Sequence, residues 1–494
     1  MLHRESRLFR MTIQNISVEA TIERVKTLIA EEKELSPALK SSLEVLLLLV
    51  TLIVNRLGLN SKNSSKPPSM DPNRQKKPRG KDGRKPGGQQ GRSGTTLTPI
   101  PDPDKIKVLP VDRSILPRGR YQEAGYEARQ VIDLNISRVV TEYRAQILKD
   151  QQGKRYVAPF PEGVTRPVQY GNSVKVNSVY MSQYQLIPYN RIEDHFLEQL
   201  RIPVSGGSIF NFNQEAYERL EHFDQWVRIQ LAISAVLHVD ETGVNIGGKR
   251  YWLHSASSAK WTCFFPHAKR GTEAMDAMGI LPTFHGILCH DHWKPYFKYG
   301  AFHALCNAHH LRELESAFEQ DQQQWAAKMS DLLKELNKAV LDAGGVLPAQ
   351  ESKRYRKRYR KLLSEADNEC PAPKEAQRQG SRGKLPRSKA RNLLERLRAY
   401  ENDVLRFMDE PEVPFSNNQA ENDIRMTKVQ QKISGCFRSW DGALIFCRIR
   451  SYLSTCRKQG ITATEALTLL FEGKSPAFML SGQSEIVSDP VGAE

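Results

Sequence analysis

Apolar and polar residues alternate along this chain with a rhythm that changes several times. Residues 12–57 carry the 3.6-residue period of helices, amphipathic in IERVKTLIAEEKEL and then apolar on every face from Leu43 to Leu57. A helix with no polar stripe has to be covered, either inside its own domain or by pairing as a self-association hairpin. Its most apolar run, Val45 to Val54, is shorter than the roughly 20 residues a bilayer span needs, so no transmembrane segment is predicted. Between 105 and 170 the period falls to two in KIKVLPV, RQVIDL, SRVVTEYRAQIL and KRYVAPF, which predicts the short strands of a small β-rich module. Helical spacing returns in 173–186, 190–200 and 208–231. The break from Ile202 to Gly207 leaves two readings, a plain helical pair or a helix-turn-helix that meets DNA.

From Ala235 the pattern becomes α/β. The runs AVLHVDETGVNI, KRYWLHSAS and KWTCFFPHAK, separated by turn residues at Gly247-Gly248 and Ser257 to Ala259, predict three consecutive antiparallel strands. A helix from Thr272 to Met278, a fourth strand ending at Asp291, a fifth near Phe302 to Leu305 and a helix from Asn307 follow. This is the order of an RNase H-like core, whose first and fourth strands lie side by side. Residues 311–412 interrupt the core with charged, mainly helical sequence. It includes KRYRKRYRK, Lys353 to Lys361, which reads either as a solvated helix face or as a DNA-facing one. The predicted layout is an N-terminal helical region (1–59), a linker (60–100), the β-rich module (101–170), a helical section (171–232), a core in two parts (233–310 and 413–472) around an α-helical insertion (311–412), and a tail (473–494).

Charge narrows the partners. The 494-residue chain carries a formal net charge of +16, and surplus Lys and Arg attract phosphate polymers by releasing their counterions. Ribosomal and membrane-surface proteins share that property. Residues 60–94, rich in Pro, Gly and Ser, hold ten Lys and Arg against two Asp. Such a segment cannot bury a core of its own, and Lys76, Lys77, Arg79, Arg84 and Lys85 suit a flexible arm lying along DNA phosphates. Seven cysteines without regular spacing, and no cleavable signal, fit a reducing cytoplasm.

Three carboxylates then stand out. Asp240 ends the first strand, Asp291 the fourth, and Glu421 sits on a predicted helix over 418–431, where Arg425 and Lys428 share its face. Hard oxygen ligands suit Mg²⁺ or Mn²⁺, and a pair of such ions supports in-line phosphoryl transfer. Arg425 and Lys428 are then placed to hold the scissile strand. A rival set, Cys289, His290, His292, Cys306 and His309, contains a CxxH, but it lacks the two compact ligand pairs of a structural zinc site, so zinc is not expected.

Four stretches, LNSKNSSKPPSMDPNRQKKPRGKDGRKPGGQQG, VLHVDETGV, CHDHWKPYFKYGAFHALCNAHHLREL and VPFSNNQAENDIRMTKVQQKISGCFRSWDGALIFCRIRSYLSTCRKQG, closely resemble bacterial transposases of the insertion-sequence sixty-six family, over roughly residues 43–468. The resemblance implies an RNase H-like catalytic domain of the DDE class with a helical insertion. It assigns the acidic triad to Asp240, Asp291 and Glu421, and a bracing CxxH to Cys306 and His309. It further implies Mg²⁺-dependent cutting of transposon ends and their joining to double-stranded target DNA, by a cytoplasmic, nucleoid-associated homo-oligomer, with small accessory proteins of the same element as possible partners. Similar members usually carry two CxxC pairs in the module before the core. Here no cysteine precedes Cys263, and the place of the second pair reads KDQQG. The alternative that this departure raises is a protein that binds transposon ends without catalysis.

Overall fold

The computed structural model describes residues 12–13, 16–32, 35–57, 60, 63–64, 97–373 and 387–481. Lys76, Lys77, Arg79, Arg84 and Lys85 lie outside the described residues.

Two helices, α1 (Val18–Glu31) and α2 (Pro37–Leu57), form the N-terminal hairpin. The apolar stretch of α2 runs from Pro37 to Val54, 18 residues with mean hydropathy 1.9, and is long and apolar enough by composition to cross a membrane. The expectation built on the most apolar run from Val45 was too short. Ser42 and Thr51 turn their hydroxyls back to the Ala38 and Leu47 carbonyls, at 2.9 and 2.8 Å, and so interrupt the apolar surface very little. None of this stretch is buried.

The strands predicted for a β-rich module are mostly absent. Only Ile147–Lys149 and Arg155–Val157 pair, as a hairpin whose turn is held by the Asp150 carboxylate accepting the Gln152 and Lys154 N–H groups. Residues 97–146 form no strand, and Leu109, Val131 and Val139 are 88%, 92% and 87% exposed. Their alternation is real, but among the described residues it meets no partner sheet, and one hairpin is marginal alone.

Four helices follow, α3 (Asn172–Val179), α4 (Tyr189–Leu200), α5 (Gly206–Arg219) and α6 (Glu221–Ala232). Ser205 caps α5 by accepting the Ser208 N–H. Ile192 and Phe196 of α4 and Ile209 and Phe212 of α5 point into the main core.

The sheet comprises β1 (Val236–Ile246), β2 (Lys249–Ser257), β3 (Thr262–His267), β4 (Ile287–His290) and β5 (Phe302–Leu305), in the order β3-β2-β1-β4-β5. The first three are antiparallel, while β4 and β5 run parallel to β1. Gly247 and Gly248 turn the β1–β2 hairpin at positive φ, 55° and 81°. Helix α7 (Thr272–Met278) carries the crossover to β4. At its entry Gly286 is required, since an added Cβ would stand 2.3 Å from the Ala235 carbonyl oxygen.

The insertion contains α8 (Asn307–Asp321), α9 (Gln324–Asp342), α10 (Ala349–Glu369), α11 (Lys389–Ala399) and α12 (Glu401–Leu405), packed around a second core that reaches Cys289 and Leu305 of the sheet. Much of KRYRKRYRK is structural here. Tyr359 is buried and donates to the Leu397 carbonyl at 2.9 Å, while Arg356, Arg358 and Arg360 pair with Asp409, Glu335 and Glu401. The chain then returns to the sheet through α13 (Asn418–Ser434), α14 (Trp440–Lys458) and α15 (Ala463–Phe471). Helices α14 and α15 close the main core, and Ile424 of α13 packs on Val244, Ile246 and Leu253.

Candidate functional site

The register between β1 and β4 sets the geometry. Val236 pairs with Ile287, Leu237 with Leu288 and His238 with Cys289. The same offset takes Asp240 to Asp291, two residues beyond the last pair. Asp291 follows the end of β4, but Asp240 does not end its strand as expected, because β1 continues to Ile246 and Asp240 pairs with Ser255 of β2. Asp240 accepts the N–H of Glu241 at 2.9 Å, and Asp291 accepts that of Trp293 at 3.0 Å. Between the latter two, His292 adopts φ 73°, a left-handed conformation that costs a non-glycine residue energy.

Glu421 arrives in the first turn of α13. Burial pushes the Asp240 carboxyl up to about 8, and the charges of Glu241, Asp291 and Glu421 push the same way. The Oε1 atom of Glu421 is buried without a hydrogen bond. The basic groups beside it, His309 Nδ1 at 3.8 Å and Arg312 Nη2 at 3.9 Å, stand too far for one. His309 Nδ1 is likewise buried and unbonded, and burial lowers the pKa of that ring. The orphaned Glu421 oxygen could accept a cation.

Cys306, His309 and Glu421 also bring one donor atom each within 4.8 Å of one another and could hold a divalent metal. That composition does not select Mg²⁺. The Cys306 sulfur also accepts the Asn417 N–H at 3.1 Å, and burial raises its thiol pKa. Of the rival zinc residues, His290 is occupied by His303 at 3.2 Å and Cys289 lies in the second core.

One residue absent from the sequence-based set of site residues organises this centre. Buried Asn417 donates to the Val239 carbonyl at 2.8 Å, meets His238 Nδ1 at 2.8 Å, and gives its N–H to Cys306. Its own carbonyl accepts the Glu421 N–H at 3.3 Å. It thereby ties the strand that carries Asp240, the CxxH and the helix of Glu421 together. Glu241 was also overlooked. Its side chain is 2% exposed and pairs with Arg270 at 2.6 Å. Of the two cations assigned to DNA, Arg425 is exposed, whereas Lys428 donates to the Gly243 carbonyl at 2.9 Å and fastens α13 to β1.

Comparison with known proteins matches residues 167–444 to the family described as "Transposase IS66 family", and residues 11–98 to a family of unknown function, DUF6444. The "Uncharacterized protein y4jO" of Sinorhizobium fredii (strain NBRC 101917 / NGR234) is 33% identical over 70 residues, 14% of this chain and 22% of that protein's length.

Proposed function

Since more than half of the chain matches its model, the protein belongs to the IS66 transposase family, and from that premise we propose that it cuts the ends of a mobile DNA element and joins them to target DNA. The observation that supports this reading is that the charges of Asp291 and Glu421, carried from beside β4 and from α13, both act on buried Asp240 of β1, while one Glu421 oxygen is buried without a hydrogen bond. In the proposal the five-stranded core is RNase H-like, and the three acids hold Mg²⁺ or Mn²⁺. A bound divalent cation there would polarise the phosphodiester and activate an attacking hydroxyl.

The chain's own residues set the geometry. Asp240 and Asp291 present oxygens from the neighbouring strands β1 and β4, Asn417 fixes the approach of Glu421, and Arg425 offers an exposed cation to the DNA backbone. No side chain need serve as a covalent nucleophile, because water or a DNA 3′-hydroxyl does.

The active form in this reading is a homo-oligomer paired through α2. Eight large apolar side chains between Leu39 and Ile53 are 38% to 58% exposed. Covering them with a second copy removes several hundred Å², the scale of the roughly 800 Å² that a stable interface takes from each partner.

A second reading, a protein that occupies element ends without cutting them, is favoured by residues 97–146, whose apolar side chains lie exposed and which lack the cysteine pairs of similar members. Incubating the full chain with DNA carrying its element's ends and Mg²⁺ separates the two. Joined product is expected. Salt-sensitive binding with neither nicked nor joined product would establish the second reading, and nicking without joining would leave a nuclease.

A further inference from the structure

The β1–β2 hairpin runs past the end of β4, and its two faces differ. Val244, Ile246 and Leu253 face α13, so strand alternation turns Glu241 and Gly243 of β1, and Arg250 and Trp252 of β2, to the other side. On that side the Arg270 guanidinium lies 4.9 Å from the Trp252 ring and 4.2 Å from the Trp293 ring. Its Nε and Nη2 donate to one oxygen of Glu241 at 2.8 and 2.6 Å. Buried Tyr296 donates to the other. Arg250 lies 5.3 Å from the same Trp252 ring, exposed and, among the described residues, in no ion pair. Gly243, opposite Trp252 in the ladder, makes room for it, because a Cβ there would stand 3.2 Å from Arg250 Nε.

Neutralising Glu241 does not account for this arrangement. The Arg270 side chain stays 41% exposed, and two indole rings with a buried carboxylate fix its orientation. A guanidinium held this way loses little freedom on meeting a second anion. It is also tied to both acids, since Glu241 adjoins Asp240 and Trp293 gives its N–H to Asp291.

We propose that Arg270 and Arg250 each hold a phosphodiester of the DNA strand that runs around the end of β4 to Asp240 and Asp291, with Trp252 and Trp293 as the plates that set Arg270. This rests on reading the acids as a DNA-cutting site. The probe is a fluorescein-labelled DNA duplex with a 3′ overhang, titrated with the full chain over a range of KCl concentrations. Arg270→Gln and Arg250→Gln are each expected to weaken binding about fivefold and to flatten the plot of log Kd against log salt by about 0.9, one phosphate contact. Arg270→Lys should keep the slope. Unchanged slopes in both Gln variants would overturn the proposal. If Arg270→Gln loses its native circular dichroism, Arg250→Gln decides, because Arg250 supports no described ion pair. Plasmid nicking by the unaltered chain in Mn²⁺ separates the two claims. Nicking with unchanged slopes rejects this strand path alone, whereas flattened slopes without nicking keep the path and reject the cutting reading.

Discussion

At Asp240, burial and like charge act in the same direction. An unfolded chain releases this proton near 3.8, and the folded chain holds it to about 8. Between those values the native state binds the extra proton, so the contribution to stability is full below 3.8 and is lost as pH rises through 8. Without metal, Asp240→Asn should therefore melt higher than the unaltered protein at pH 8, by a margin that shrinks toward pH 4. A margin independent of pH in scanning calorimetry would contradict this. Asn417 permits a different forecast. Asn417→Ala leaves the Val239 carbonyl and a ring nitrogen of His238 buried without their partner, and urea denaturation should register a loss of about 1–3 kcal/mol. The three acids could be singled out in the sequence because each lies on or beside a strongly patterned element, although Asp240 falls inside β1 rather than at its end. Asn417 was not, since its bonds join residues far apart in the chain and follow no period.

Among the elements, β1 and β2 were readable almost to the residue, because alternation and the Gly247-Gly248 turn agree. The strands expected in 105–146 show the opposite case, in which alternation found no partner sheet. The α10 run illustrates a third. Its charge was plain in the sequence, but that Tyr359 is buried and three arginines are paired depends on residues 23 to 53 positions away. Removing the Tyr359 hydroxyl, as Tyr359→Phe, should cost about 1 kcal/mol in urea denaturation. For α2, an apolar surface was evident and its cover was not. Leu46→Glu with Ile53→Glu, at two 58% exposed positions, should convert the oligomer to a monomer in light scattering coupled to gel filtration. An unchanged mass would remove α2 as the interface, and flotation of the unaltered chain with lipid vesicles would reassign it to a bilayer.

For the whole molecule, the proposed site draws acids from two neighbouring interior strands, β1 and the end of β4, and from a helix that follows the helical segment 307–405. Glu421 lies 130 residues beyond Asp291, and α13 returns it through Asn417 and the contact of Lys428 with β1. The central claim is that this gathering makes a metal-dependent DNA-cutting centre. Its most direct test is the rate at which the full chain nicks DNA carrying its element's ends in Mg²⁺, compared with Asp240→Asn. Loss of a neighbour of a metal ligand typically costs 10–100-fold, so loss of a ligand itself should slow nicking by at least about a hundredfold. Equal rates in the two proteins would contradict the assignment.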